Sequence, residues 1–308
     1  MRVAGKFRLV IGFVVAGLLA GLMLSCGTGT EKGREQVQKS ARSNDGTTIA
    51  YERSGEGPVV IVVAAALADR SGTTRLARHL AEHFTVINYD RRGRGKSGDT
   101  RPYAVGREVE DIDALIDGEG GSVFLFGSSS GSVLALEATS RLGPKVRKLY
   151  MYEPPFIVDG SHPPIQDNLM KEIDDLVVAG ERNDAVKIFF AKGMGIPGLA
   201  VTMMRWLMPG WSKMAGMAHT LRYDLTILDG TQLGRPLDAQ RWASAYAPTL
   251  VVVGSKSEPF FHSGAKALVQ ILPKGQYGVL EGRDHSAILF ATQALADSAA
   301  KFFLAKKD

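Results

Sequence analysis

The amino-acid sequence predicts an α/β protein with a mostly parallel central sheet, flanking helices and an inserted all-helical cap. Short β-branched runs alternate with stretches of helical periodicity along most of the chain. This alternation stops between residues 159 and 242, where no strand pattern occurs. The 308 residues are 45% hydrophobic and 22% charged, which suits a large buried core and excludes a disordered or coiled-coil chain. We therefore expect a core from residues 46–158 and 243–308, with residues 159–242 as the cap.

The predicted strands fall into two kinds. Val59–Val63 is a continuous apolar run, typical of a strand buried on both faces of a parallel sheet. Residues 47–53 alternate between apolar and polar, which predicts an antiparallel strand at the edge of the sheet. Further strands of the buried kind are predicted at residues 84–89, 122–126, 148–152, 249–253 and 277–280. Helices are predicted between them at residues 73–83, 107–116, 133–142, 263–272 and 287–304.

The amino-terminal segment has the pattern of an export signal. Residues 1–8 carry three positive charges, and the 16 residues 9–24 are uncharged and almost wholly apolar. A helix of that length covers about 24 Å, short of the roughly 30 Å hydrocarbon core of a bilayer, which favours a signal peptide over residues 1–25. The sequence Met23-Leu-Ser-Cys26-Gly27 follows and resembles a bacterial lipobox.

That resemblance implies lipidation of Cys26 and a flexible, lipid-tethered linker over residues 26–45. The protein would then be a membrane-anchored lipoprotein of the cell envelope, facing outside the cytoplasm. The alternative is a short uncleaved anchor in which Cys26 has no role.

Charge and cysteine content exclude several classes of function. The formal net charge is +5, but three of these charges precede Cys26, and no basic face typical of a nucleic-acid binder is visible. A single Cys excludes an internal disulfide framework and a thiolate zinc site. Gly95-Lys96-Ser97 resembles the end of a phosphate-binding loop, but Asp90 stands where such a loop needs its first Gly. We expect no nucleic-acid partner, no cofactor and no metal.

The segment Gly127-Ser-Ser129-Ser-Gly131 is the one G-x-S-x-G motif of the chain. It stands between a predicted strand and a predicted helix, and a sharp turn there would expose the middle serine. The amino terminus of the helix would also direct backbone N–H groups towards developing negative charge. We predict that Ser129 is a nucleophile and that Ser128 and Ser130 are small turn residues.

A serine hydroxyl needs a neighbouring base to become a nucleophile. Of the six His residues, His285 alone follows the last predicted strand, in the loop Glu281-Gly-Arg-Asp-His285. The other five lie in predicted helices, beside them, or in the insertion. We predict that His285 is the base.

Four features together resemble the α/β-hydrolase fold family. They are the order of elements, the motif around Ser129, the late His285, and the turn Asp90-Arg-Arg-Gly-Arg-Gly-Lys-Ser-Gly98. The resemblance implies a Ser-His-acid triad, an oxyanion hole made of backbone N–H groups, and a variable cap.

The third member of the triad departs from the family pattern. The family usually places an acid after the strand at 249–253, where this chain has Ser257 followed by Glu258. Some members carry the acid after the strand at 148–152, where this chain has Glu153. A carboxylate is needed to orient the imidazole. We predict Glu153 as the acid, with Glu258 as the alternative.

The oxyanion loop also departs from the family. The family often has His-Gly after its third strand, whereas this chain has Ala64-Ala-Ala66-Leu67. The hole requires backbone N–H groups and not particular side chains. We predict one donor at Ser130 and the other at Ala66 or Leu67.

The predicted function is hydrolysis of an ester or related acyl bond through an acyl-enzyme. Seven of the ten Met residues lie in the insertion together with Trp206 and Trp211, which favours a small-to-medium apolar substrate. A serine at position 129, in the predicted turn between strand and helix, argues against epoxide hydrolase or dehalogenase chemistry, which uses an Asp there. The alternatives are a non-catalytic ligand-binding lipoprotein of the same fold, or a cofactor-free perhydrolase or C–C hydrolase.

Overall fold

The computed structural model describes residues 36–305, whose eight strands form one sheet. The strand order is β1-β2-β4-β3-β5-β6-β7-β8. The pairs β1–β2 and β2–β4 are antiparallel, and the other five pairs are parallel. The strands are β1 (Val37–Arg42), β2 (Thr48–Ser54), β3 (Val59–Val63), β4 (Thr85–Tyr89), β5 (Val123–Ser128), β6 (Val146–Tyr152), β7 (Thr249–Gly254) and β8 (Gly275–Leu280).

Helices connect the parallel strands, as right-handed crossovers in such a sheet require. In the sheet domain they are α1 (Arg70–Leu80), α2 (Val105–Gly118), α3 (Ser130–Leu142), α9 (Pro259–Ile271), α10 (Ala287–Phe290) and α11 (Thr292–Leu304). Between β6 and β7 lie α4 (Leu169–Val178), α5 (Arg182–Ile188), α6 (Gly198–Leu207), α7 (Trp211–Gly216) and α8 (Leu221–Ile227).

The central strands are apolar because both faces of the sheet are covered. In β3, Ile61 and Val63 pack into one core cluster with α2, α3 and α9, whereas Val60 and Val62 pack into a second with α1 and α11. Successive side chains of a strand point to opposite faces, so a strand between two helical layers must be apolar throughout. This three-layer arrangement confirms the predicted fold class.

The segment between β6 and β7 has a hydrophobic core of its own. Within residues 153–248 the structure contains helices and no strand. Trp211, Phe189 and Phe190 are buried in this core, and Leu67 from the loop after β3 joins them. Trp206 is 78% exposed, so the aromatic residues of the segment are divided between the core and the surface. Because Leu67 belongs to this cluster, the cap core reaches the predicted oxyanion loop.

Three expectations about elements are corrected. Residues 37–42 form β1, so the predicted linker over residues 26–45 is wrong for that stretch. The edge strand predicted at residues 47–53 is β2, which lies between β1 and β4, so the edge strand is β1. Five of the six residues of β1 are exposed, so no alternation of buried apolar and exposed polar residues was present from which to predict the strand. The single helix predicted at 287–304 is divided into α10 and α11.

The predicted signal peptide and Cys26 lie outside the described residues. Among residues 36–305, none of the helices has the length and apolar character needed to cross a membrane.

Candidate active site

Ser129 lies in a sharp turn between the last residue of β5 and the first residue of α3. Its backbone has φ 50° and ψ −131°, a conformation that costs a non-glycine residue free energy. The Ser129 N–H donates to the carbonyl of Tyr152 at 2.9 Å, and the Ser129 carbonyl accepts from Ser132 N at 2.9 Å. The strand–turn–helix context that the motif predicts is therefore present at Ser129.

The two glycines of the motif allow close approach of backbone segments. A Cβ atom on Gly131 would lie 2.4 Å from the carbonyl oxygen of Ala64. A Cβ atom on Gly127 would lie 2.5 Å from the Cα of Ser132. Both distances are shorter than any side chain tolerates, so glycine is required for the turn to pack against β3.

His285 and Glu153 are joined by a hydrogen bond. His285 Nδ1 and Glu153 Oε2 are 2.7 Å apart, and the Glu153 side chain is fully buried while that of His285 is 31% exposed. The other carboxylate oxygen of Glu153 accepts from the Gly254 N–H at 2.8 Å and from the Ser257 hydroxyl. In the tautomer that carries its hydrogen on Nδ1, His285 donates to Glu153 and its Nε2 is an acceptor.

The packing around His285 fixes the plane of its ring. Phe261 of α9 stacks on the imidazole with the ring centroids 4.9 Å apart and the planes 18° from parallel. Stacking and the bond to Glu153 together restrict both χ angles of His285.

The two candidate acids occupy different surroundings. Glu258 is exposed and stands at the amino end of α9, and its carboxylate makes no hydrogen bond or ion pair among the described residues. Ser257 stands at the position where the family usually has its acid, and it donates to Glu153. Of the two carboxylates, Glu153 is the one that contacts His285.

Tyr152 connects the turn at Ser129 with the loop that carries His285. Its carbonyl accepts from the Ser129 N–H, and its hydroxyl donates to the Asp284 carbonyl at 2.6 Å.

The hydrogen bonds of the described residues include none between the Ser129 hydroxyl and His285. Catalytic hydrogen bonds are often long in the absence of substrate, and proton transfer between these two residues would require this bond to form.

Three site loops contain strained residues. Among the described non-glycine residues, positive φ angles occur only at Leu67, Ser129 and Glu153, with values of 55°, 50° and 50°. These residues follow β3, β5 and β6, whose carboxyl ends are neighbours in the sheet. Such strain persists only where the surrounding structure enforces it, and it is concentrated at functional sites.

The structure corrects one of the two predicted oxyanion donors. The Ala66 N–H donates to the Ser130 hydroxyl at 3.0 Å, so it is not available to a substrate oxygen. The Leu67 N–H makes no hydrogen bond to another described residue. Of the predicted pair, Leu67 is therefore the remaining candidate, opposite the Ser130 N–H at the start of α3.

A buried cluster of charged side chains lies behind this loop, and the sequence analysis did not identify it. Arg91 forms a paired hydrogen bond with Glu108, with both distances 2.7 Å, and a third with Asp224 at 2.7 Å. Arg94 also binds Asp224. Within residues 36–305 no group of His, Cys, Asp or Glu side chains could hold a metal ion.

Comparison with known proteins shows the family of the chain. The chain belongs to the alpha/beta hydrolase family, whose model matches residues 60–298. It is similar to an alpha/beta hydrolase from Sphaerobacter thermophilus DSM 20745, with 43% sequence identity and a TM-score of 0.79, covering 86% of this chain and all of that one.

Two further proteins show more distant or more local similarity. A thermophilic esterase from Thermogutta terrifontis has a TM-score of 0.63 at 17% identity, covering 87% of this chain and 98% of that one, which shows the fold alone. An uncharacterized hydrolase of Bacillus subtilis (strain 168), YraK, is 32% identical over 113 residues, which are 35% of this chain and 42% of that protein.

Proposed function

We propose that this hydrolase is a serine esterase that cleaves a small-to-medium apolar ester through an acyl-enzyme. The observation that carries the proposal is the Glu153–His285 hydrogen bond at 2.7 Å, formed at the same edge of the sheet as the strained turn of Ser129. Membership of the alpha/beta hydrolase family supports hydrolysis as the class of reaction.

In the proposed reaction the Ser129 oxygen attacks the carbonyl carbon of the ester while His285 Nε2 takes its proton. Glu153 holds the ring and stabilises the imidazolium that forms. The negative charge on the carbonyl oxygen is received by the N–H groups of Ser130 and Leu67. His285 then donates its proton to the leaving alcohol, and a water molecule releases the acyl group by the reverse steps.

The proposed apolar substrate rests on the residues that surround Leu67. Leu67 is 6% exposed and packs into the cap core with Phe189, Phe190 and Trp211. A chain bound next to the Leu67 N–H would therefore meet an apolar wall. Ester side chains that replace water at such a wall contribute binding free energy in proportion to their apolar area.

The test is covalent labelling of the full chain with a fluorophosphonate, combined with hydrolysis of p-nitrophenyl butyrate. We expect the wild-type protein to be labelled, Ser129→Ala to lose both labelling and hydrolysis, and His285→Ala to lose about 10³-fold or more in kcat. An unlabelled but folded wild-type protein would contradict the proposal and favour a ligand-binding role.

We also propose that Cys26 is lipidated and holds the protein at the outer side of a cell-envelope membrane. The support is the sequence Met23-Leu-Ser-Cys26-Gly27 after a charged and then apolar segment. Fractionation of cells should find the wild type with membranes and the Cys26→Ser variant released. Equal membrane association of the two would argue for an uncleaved anchor.

A further inference from the structure

The Ser130 hydroxyl forms a bridge between the two halves of the proposed oxyanion hole. It accepts the Ala66 N–H at 3.0 Å and donates to Asp224 Oδ1 at 2.8 Å. Ser130 is 2% exposed and Asp224 is fully buried. Ser130 provides one proposed donor N–H and Ala66 precedes the residue that provides the other, so this bridge sets their separation.

Asp224 belongs to α8 of the helical insertion, 94 residues after Ser130. Besides Ser130 it binds Arg91 through Oδ1 and Arg94 through Oδ2. Burial by itself raises the pKa of this carboxyl, but the charges of Arg91 and Arg94 and the hydrogen bonds outweigh burial and leave the pKa below its usual range. Asp224 is therefore ionised at neutral pH.

The two arginines that Asp224 binds also hold the carbonyl groups of the oxyanion loop. Arg91 donates to the Ala64 carbonyl at 3.2 Å. Arg94 donates to the Ala65 carbonyl at 2.6 Å and to the Ala68 carbonyl at 3.2 Å. These carbonyls accept from guanidinium groups on both sides of Leu67, so the loop is anchored around a residue whose φ of 55° is strained.

We infer that Asp224 of the helical insertion is a positioning residue that builds the oxyanion hole through Ser130, Arg91 and Arg94. It touches neither the reacting atoms nor the proposed donor N–H groups. This inference rests on the proposed function, because it needs an oxyanion to form at Leu67 and Ser130.

One consequence concerns the cap. Because α8 supplies the carboxylate, the cap cannot hinge away at α8 without breaking three charge-assisted hydrogen bonds, two from Arg91 and Arg94 in the turn after β4 and one from Ser130 at the start of α3. The cap therefore contributes a positioning residue, Asp224, to the proposed active site.

The test uses Ser130→Ala, Asp224→Asn and the double variant in the full chain, with p-nitrophenyl butyrate as substrate. Active sites are counted by fluorophosphonate labelling, so that misfolded protein does not enter kcat. We expect each single variant to lower kcat about 10- to 100-fold with KM changed by less than about threefold, because the donors are misaligned and not removed. The double variant should be no slower than the slower single variant, because both act through one chain of hydrogen bonds.

A second readout is the affinity of phenylboronic acid, whose boron bonds to the Ser129 oxygen while the hydroxyl proton passes to His285, giving a tetrahedral adduct. Its inhibition constant should rise in parallel with the fall in kcat, because the adduct needs the same donors. Ser140→Ala is the matched control, since it removes a bonded hydroxyl near the opposite end of α3. It should leave kcat and the inhibition constant unchanged.

The outcomes separate the inference from the proposed function. If Ser129→Ala abolishes turnover but Ser130→Ala and Asp224→Asn retain wild-type kcat per labelled site, the inference is wrong and the serine mechanism stands. The inference also fails if the two variants lower only the labelled fraction, which would make Asp224 a contributor to stability alone. If Ser129→Ala retains turnover, the proposed function itself is wrong.

Discussion

Glu153 combines three properties that rarely occur in one residue. It is fully buried, it has φ 50°, and both oxygens of its carboxylate accept hydrogen bonds. A buried carboxylate is costly unless its lone pairs are satisfied. The Gly254 N–H and the Ser257 hydroxyl satisfy one oxygen, which leaves the other dedicated to His285.

At this scale we predict a large difference between two Glu→Gln variants. Glu153→Gln should lower kcat for p-nitrophenyl butyrate by about 10³- to 10⁴-fold, because the amide nitrogen would face Nδ1 and favour the wrong tautomer of His285. Steady-state kinetics on protein shown to be folded by circular dichroism provides the measurement.

Glu258→Gln is the control, because Glu258 is exposed and does not contact the imidazole. Its kcat should stay within about twofold of the wild type, as is usual for surface substitutions away from a site. A larger loss in Glu258→Gln than in Glu153→Gln would reverse the assignment of the acid.

At the scale of elements, the active-site turn depends on how closely α3 approaches the end of β3. The amino end of α3 lies against the Val63 and Ala64 carbonyls, and a Cβ atom on Gly131 would meet them at 2.5 and 2.4 Å. The close approach of these two elements brings the Ser130 N–H near the loop that carries Leu67, and the Ser130 hydroxyl bridge then joins the two. A change in that approach acts on stability and turnover together.

We therefore predict that Gly131→Ala destabilises the protein by about 2 kcal/mol or more and lowers kcat in the folded fraction. Urea denaturation followed by tryptophan fluorescence measures the first effect, and kinetics per labelled active site the second. The new methyl group clashes with backbone atoms, which no side-chain movement can relieve.

Gly118→Ala is the comparison, because Gly118 ends α2 and a Cβ atom there would have no neighbour within 4 Å. It should be neutral or stabilise the protein by up to about 1 kcal/mol, since alanine has the better helix propensity. Equal effects of the two substitutions would show that the close approach at Gly131 is not what limits stability.

At the scale of the whole molecule, ion pairs with largely buried carboxylates join distant parts of the chain. Asp45 pairs with Arg92, Asp69 with Lys213 of α7, and Asp224 with Arg91. For each carboxyl, burial raises the pKa, but the cation and the hydrogen bonds outweigh burial and lower the pKa below its usual range. Asp111 has the opposite sign, because burial outweighs its bonds to Arg92 and raises its pKa.

These pKa shifts predict loss of stability in acid. A carboxyl with a lowered folded-state pKa binds a proton more readily in the unfolded chain, so the unfolded state is favoured as pH falls below about 5. The free energy of unfolding should decrease slightly between pH 7 and 5, because burial lowers the pKa of His219 and the unfolded chain binds that proton first, and it should decrease more steeply from pH 5 to 3. Urea titrations at a series of pH values measure it.

Asp224→Asn, if it folds, should show a shallower decrease over the same range, because its share of the proton linkage is removed. A free energy of unfolding that is flat or rises towards pH 3 would contradict the prediction. It would mean that carboxyls with a raised pKa, such as Asp111, contribute more to the pH dependence of stability than the three carboxyls with a lowered pKa.

Local pattern by itself determined the class of fold and the candidate positions Ser129 and His285. Strand and helix periodicity report which faces of an element are buried, and a G-x-S-x-G motif marks a turn that only small residues permit. Both signals lie within a few consecutive residues, so no knowledge of distant contacts is needed to read them. The edge strand β1 was not predicted, because its side chains are almost all exposed and give no hydrophobic periodicity.

Only the tertiary structure decided which carboxylate meets His285, which N–H of the loop is already occupied, and that Asp224 stands behind the oxyanion loop. Glu153 and His285 are 132 residues apart in sequence, and Ser130 and Asp224 are 94 apart. Such contacts depend on the order of strands in the sheet and on how the insertion packs over it. The residues adjacent in sequence do not predict these contacts, because the partners of a side chain depend on tertiary packing.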